Sequence, residues 1–162
     1  MGIIEAGGTL TANFGIKKTH DRLLRFELVH EDAILPSRAH PTDAGLDLHA
    51  VTRAGLAPGE RRVVNTGVAV EIPAGYVGMV CPRSGLAANH GITVVNAPGI
   101  IDSGYRGEIK VVLLNTGEYP VSFQVGDRIA QLVITPVCIW TPVESSLSEA
   151  DRGDNGLGSS GA

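Results

Sequence analysis

Short stretches in which apolar and polar side chains alternate recur through the middle of the chain. Residues 23–29, Leu-Leu-Arg-Phe-Glu-Leu-Val, alternate about Phe26 as a half-buried strand does. Similar runs follow at Val63-Val64, 66–72, 76–80, 92–95, 108–114, 121–123 and 129–134. Turn signals separate them: Pro58-Gly59, Pro73-Ala74-Gly75, Pro98-Gly99, Thr116-Gly117 and Gly126-Asp127. Many short β-branched runs at this spacing predict an all-β sandwich or barrel. One helix is predicted, from Ser84 to about His90, with Ser84 as its N-cap and Gly91 as its stop. At about two turns it is marginal without packing. Beyond Trp140 the alternation fades, and 144–162 reads as a flexible, polar, glycine-rich arm. Residues 1–22 read as a flexible extension, which leaves 23–143 as one β domain.

Composition sharpens this picture in a few places. Aromatic residues are only 4% of the chain against 43% hydrophobic, so aliphatic side chains must fill the core. A net charge of −4 argues against a general nucleic-acid binder, though a few arginines can still make a local anion site. Cys81 and Cys138 have neither disulfide-framework nor zinc-ligand spacing, and two buried free thiols are expected. No apolar stretch approaches the length of a membrane span, and the N-terminal stretch lacks a secretory core, so a cytoplasmic location is expected.

Five segments carry chemistry. In 42–50, Asp47 lies between Leu46 and Leu48 and faces away from both if the segment is a strand. It could orient an arginine or a metal's water shell, and a solvated turn aspartate fits equally well. In 81–87, an Arg83-Ser84-Gly85 step opens the helix, where free N–H groups favour an anion; an ordinary helix cap fits as well. Segment 96–108 reads as a hairpin tip between two strong strands. Its unpaired backbone groups could read the edge of a flat base, Asp102 follows two isoleucines, and Tyr105 offers a ring to pack on a sugar. The alternative is a plain β-turn. In 126–132, Gln131 interrupts an apolar strand and needs a polar partner, while Asp127 and Arg128 suit structural contacts. The tail, 152–161, combines glycines with Arg152, Ser159 and Ser160, a composition that could fold around and clamp a phosphate; a plain disordered Gly/Ser tail fits the composition as well. It lacks the Gly-Lys-Ser/Thr ending of a Walker A loop.

The order and spacing of these segments resemble the homotrimeric dUTPase family over about Phe26 to Gly161. All five family motifs are present in sequence. They are Asp-Ala-Gly-Leu-Asp-Leu at 43–48, Pro-Arg-Ser-Gly-Leu-Ala at 82–87 and Gly-Ile-Ile-Asp-Ser-Gly-Tyr-Arg-Gly-Glu at 99–108. Arg-Ile-Ala-Gln-Leu at 128–132 and Arg-Gly-Asp-Asn-Gly-Leu-Gly-Ser-Ser-Gly at 152–161 complete the set.

The resemblance implies a jelly-roll-like β-barrel, assembled as a trimer whose active sites are each shared between chains. It implies hydrolysis of dUTP to dUMP and pyrophosphate with Mg²⁺ on the triphosphate, which keeps uracil out of DNA and supplies dUMP for thymidylate synthesis. Carried over residue by residue, Asp102 is the general base for the attacking water. Tyr105 packs on the deoxyribose and excludes a 2′-OH. Asn96 and the backbone of Gly99, Ile100 and Ile101 read uracil, with Lys110 close by. Arg83, Ser84, Gly85 and Gln131 hold the phosphates, and Asp47 positions the Arg83 region and a metal-bound water. Arg152, Ser159 and Ser160 close over the β- and γ-phosphates. Leu157 stands where the family usually has an aromatic residue on the base, which implies a looser lid. A dCTP deaminase shares the fold but needs a catalytic glutamate in the third segment, where Glu108 is the nearest candidate. A non-enzymatic jelly roll is the other alternative.

Overall fold

The computed structural model describes residues 23–150. The expected N-terminal extension and residues 151–162 of the expected arm lie outside the described residues. Eleven strands and one helix follow in order: β1 (Arg25–Leu28), β2 (Gly45–His49), β3 (Ala54–Leu56), β4 (Arg61–Asn65), β5 (Val68–Glu71), β6 (Tyr76–Cys81), α1 (Ser84–His90), β7 (Ile92–Val94), β8 (Gly99–Ile101), β9 (Lys110–Asn115), β10 (Val121–Phe123) and β11 (Arg128–Pro136). Every pairing is antiparallel. A four-stranded sheet runs β2-β11-β6-β8 and a three-stranded sheet β4-β9-β7, with the ribbons β1-β5 and β3-β10 beside them. This is the jelly-roll-like, all-β architecture expected from the alternating runs. The strands β2, β3 and β8 were not among the predicted runs, because each is short and contains a glycine.

Alternation sorts the side chains of the larger sheet. Leu46 and Leu48 of β2, Leu132 of β11 and Val80 of β6 are buried in the core. Between them, Asp47, Gln131 and Cys81 form one cross-strand row on the other face. Two consecutive residues, Ile129 and Ala130, are both buried in β11. The register with β2 shifts between Arg128 and Ala130, and such a bulge lets neighbouring residues share a face.

The helix begins one residue away from its expected cap. Arg83 is the N-cap, in extended backbone and without a side-chain capping bond, and Ser84 is the first helical residue. The Arg83 carbonyl already accepts the Ala87 N–H at 3.0 Å, which sets the helix start before the serine. Gly91 stops the helix as expected, at φ 66°, and a Cβ there would fall 2.5 Å from the Gly117 backbone nitrogen. No residue of α1 is fully buried, and Leu86 is its partly buried contact with the core.

The thiols differ from expectation: Cys81 is partly buried and Cys138 is exposed. Cys81 falls on the outer row of the sheet, and Cys138 lies past the end of β11. From there to residue 150 the chain has no regular secondary structure, yet it presents Ile139, Trp140, Val143 and Leu147 to solvent, Trp140 at 83% exposure.

Asn115 at the end of β9 is fully buried. Its Nδ2 donates to Leu56 O at 3.0 Å and Tyr119 O at 2.8 Å, and its Oδ1 accepts the Gly117 N–H at 2.9 Å. One side chain thus ties the end of β9 to β3 and to the turn that follows. Asn115→Ala strips these partners and is expected to destabilise the protein by about 1–3 kcal/mol, measured by denaturant unfolding.

Candidate functional site

A cavity of about 260 Å³ opens where β6 and β8 meet the ends of β7 and β9, with Val80 and Val94 in its wall. It brings together all seven sequence-predicted residues of the third segment and its flanks: Asn96, Gly99, Ile100, Ile101, Asp102, Tyr105 and Lys110. The segment is more than the expected hairpin tip. Gly99–Ile101 leaves the β7–β9 pair and joins the other sheet as β8, in register with Gly78–Val80 of β6. Gly99 allows that approach, since a Cβ there would lie 3.3 Å from Val80 Cβ and 3.2 Å from Asn96 Nδ2.

After β8 the chain turns, with the Tyr105 N–H donating to Asp102 O at 3.0 Å. Asp102 is exposed at the cavity edge, so the isoleucines before it do not enclose it in the single chain. The Tyr105 ring is held at both ends of its loop. Its hydroxyl donates to Glu108 O at 3.0 Å, and the ring covers Gly107, where a Cβ would fall 2.5 Å from the hydroxyl oxygen. Glu108 also lines the cavity, but its carboxylate is engaged on the far side. Oε1 accepts the Gly67 N–H at 2.8 Å and Oε2 accepts Asn65 Nδ2 at 3.0 Å. Both of those partners come from more than forty residues away, beyond the reach of any local sequence pattern.

A second cavity, about 510 Å³, lies on the outer face of the four-stranded sheet. Arg83, Ser84, Gly85, Gln131 and Asp47 line it together, as the sequence predicts, with Arg128 and Asp43 as members that it does not predict. Asp47 bridges two arginines: Oδ1 lies 3.2 Å from Arg83 Nε and Oδ2 lies 3.2 Å from Arg128 Nη1. Arg83 also donates to Arg128 O at 3.3 Å. Gln131 finds its polar partner in Pro82 O, 2.9 Å from Nε2. Its side chain lies directly over Gly45, where any Cβ would collide with Gln131 Oε1. With two guanidinium groups on one carboxylate, and the first N–H groups of α1 unpaired beside them, the cavity suits an anion.

His49 follows Asp47 on β2. Burial pushes its imidazole below the usual value; Asp47 opposes that effect, while Arg128 and Arg83 add to it. Its Nδ1 is buried without a hydrogen-bond partner. No group of three or more His, Cys, Asp or Glu side chains among the described residues could hold a metal ion. Asp47 has both oxygens committed to arginines.

The two cavities share no lining residue. Gly45, Asp47, Gln131 and Val133 point outward, while Val80 of the first cavity belongs to the core face of the same sheet. In one chain the sheet stands between them. Arg152, Leu157, Ser159 and Ser160 lie outside the described residues.

Comparison with known proteins agrees with this geometry. The dUTPase family profile matches residues 31–161. A deoxyuridine 5'-triphosphate nucleotidohydrolase of Solibacter usitatus is 49% identical over 140 residues, 85% of this chain and 95% of the relative. One from Thermobifida fusca is 57% identical over 132 residues, 80% of this chain and 74% of the relative. Among solved structures, a Staphylococcus bacteriophage 80alpha dUTPase variant with dUpNHpp superposes with a TM-score of 0.77 at 32% identity, covering 86% of this chain and 99% of its own. A phage phi11 dUTPase variant described with a structural Mg(II) ion superposes with a TM-score of 0.70 at 32% identity, covering 79% of this chain and 98% of its own. With a family match over most of its length and relatives near half identity, this chain belongs to the dUTPase family.

Proposed function

We propose that this protein hydrolyses dUTP to dUMP and pyrophosphate, in sites built from the two cavities of different chains in a trimer. The observation that carries this reading is the first cavity, where Asn96, the Gly99–Ile101 backbone, Tyr105 and Asp102 meet in one small volume. Its size suits a pyrimidine nucleoside rather than a whole triphosphate. Asn96 and the backbone of 99–101 read the uracil edge. Tyr105, fixed flat by its bond to Glu108 O, packs on the deoxyribose and leaves no space for a 2′-OH. Lys110 adds a cation at the rim. Asp102 has no competing ion pair among the described residues, so its carboxylate is available to hold a water and take its proton.

The outer cavity supports the other half of the reading. Arg83, Ser84, Gly85 and Gln131 bind the phosphates, and Asp47 sets the direction of Arg83. The nucleotide enters as its Mg²⁺ complex, in which the ion neutralises phosphate charge. The chain's residues supply the positioning that dominates phosphoryl chemistry. Arg152, Ser159, Ser160 and Leu157 cover the bound nucleotide. Because a sheet separates the two cavities in one chain, base and phosphates of a single nucleotide reach both only when two chains meet. The exposed Ile139, Trp140, Val143 and Leu147 favour such an assembly, since a run of bare apolar side chains marks a contact surface. A deaminase would require Glu108 as its catalytic group, and both its oxygens are already bonded to β4 and to the turn after it.

Pyrophosphate release from dUTP, dCTP, dTTP and UTP with Mg²⁺ tests the reaction: rapid release from dUTP alone is expected, and ammonia from dCTP would refute it. Asp102→Asn is expected to lower kcat about 10²–10⁴-fold in a steady-state assay, the usual worth of a general base. Sharing between chains is read by complementation. Asp102→Asn and Arg83→Ala proteins, each nearly inactive, are expected to regain about a quarter of wild-type activity after mixed refolding into closed trimers. Sites built within single chains would regain none.

A further inference from the structure

Arg106 follows Tyr105 in the loop that carries Asp102, yet it does not line the cavity. Its side chain folds back along the outside of the loop. Nη1 donates to two carbonyls of that loop, Ser103 O at 2.7 Å and Tyr105 O at 2.8 Å. Nη2 lies 3.6 Å from Glu71 Oε1 at the end of β5. The other Glu71 oxygen lies 3.2 Å from Arg25 Nη1 on β1. The guanidinium therefore ties the loop to the β1-β5 ribbon.

We propose that Arg106, aimed by Glu71, is a positioning residue that fixes the direction of the Asp102 carboxylate. The inference rests on the reading of Asp102 as general base. A planar guanidinium bonded to two carbonyls two residues apart locks the peptides between them. Those peptides start just after Asp102 and end at Tyr105, so the group steadies the backbone that aims the base. Gly104 sits at their centre with open space around it, and a glycine there leaves the backbone free to swing unless something outside holds it. Side-chain exposures of 54% for Arg106 and 46% for Glu71 make the pair a weak contributor to global stability. Its loss acts on alignment, to which catalysis is far more sensitive than folding is.

The test compares wild type, Arg106→Gln, Glu71→Gln and the double variant. Two quantities are read: turnover of Mg·dUTP, and amide hydrogen exchange of residues 102–107 without nucleotide. Arg106→Gln is expected to lower kcat about 10–100-fold. KM should stay within about twofold, since the group makes no substrate contact. The melting temperature should stay near wild type. Glu71→Gln lowers kcat less, and the double variant is no slower than Arg106→Gln, because Glu71 acts through the arginine. Exchange at the Tyr105 amide quickens in each variant. Unchanged kcat, single effects that multiply in the double variant, or a raised KM with kcat kept would each overturn the proposal. Should Arg106→Gln fail to fold, Glu71→Gln decides by the same two readouts. A wild type that leaves dUTP intact refutes the reaction, whereas unchanged exchange in the variants refutes the brace.

Discussion

A β-strand has two faces, and the four-stranded sheet spends one on the core and the other on charge. Leu46, Leu48, Leu132 and Val80 fix which face is which, because turning any of these strands over would put leucine in water and Asp47 or Gln131 in the core. Burial of those few aliphatic side chains thus holds Asp47 where it meets Arg83 and Arg128. It also keeps Val80, in the wall of the first cavity, on the opposite face from Asp47 and Gln131, which line the second. The separation of the two cavities follows from strand geometry before any catalytic group is considered.

What could be read from the sequence follows the distance between partners along the chain. The third segment was legible because its chemistry is local: Asn96 to Lys110 span one short stretch that folds around its own cavity. Its crossing into the other sheet as β8 was not, since a three-residue strand containing glycine gives no periodic signal. Asp47 could be assigned a face, but not a partner. Its arginines arrive from the end of β6 and the start of β11, and only the folded sheet brings them together.

The misses have the same origin. Ser84 looks like a cap by residue type, yet the helix begins where the Arg83 carbonyl first finds an N–H. Glu108 looks free beside a cavity, yet Asn65 and Gly67 claim it from about forty residues away. The thiols were expected to be buried, whereas strand register leaves Cys81 only partly buried and the end of β11 leaves Cys138 exposed. Arg128 was expected to make structural contacts and does, through Asp47, but that places it in the same cavity as the phosphate-type residues.

The single tryptophan, Trp140, sits on the exposed apolar stretch that follows β11. An indole in water emits at longer wavelength than one packed against hydrocarbon. The chain therefore carries one built-in optical label, placed on a bare apolar stretch. The colour of its intrinsic fluorescence reports whatever covers that stretch, with no second indole to confuse the signal.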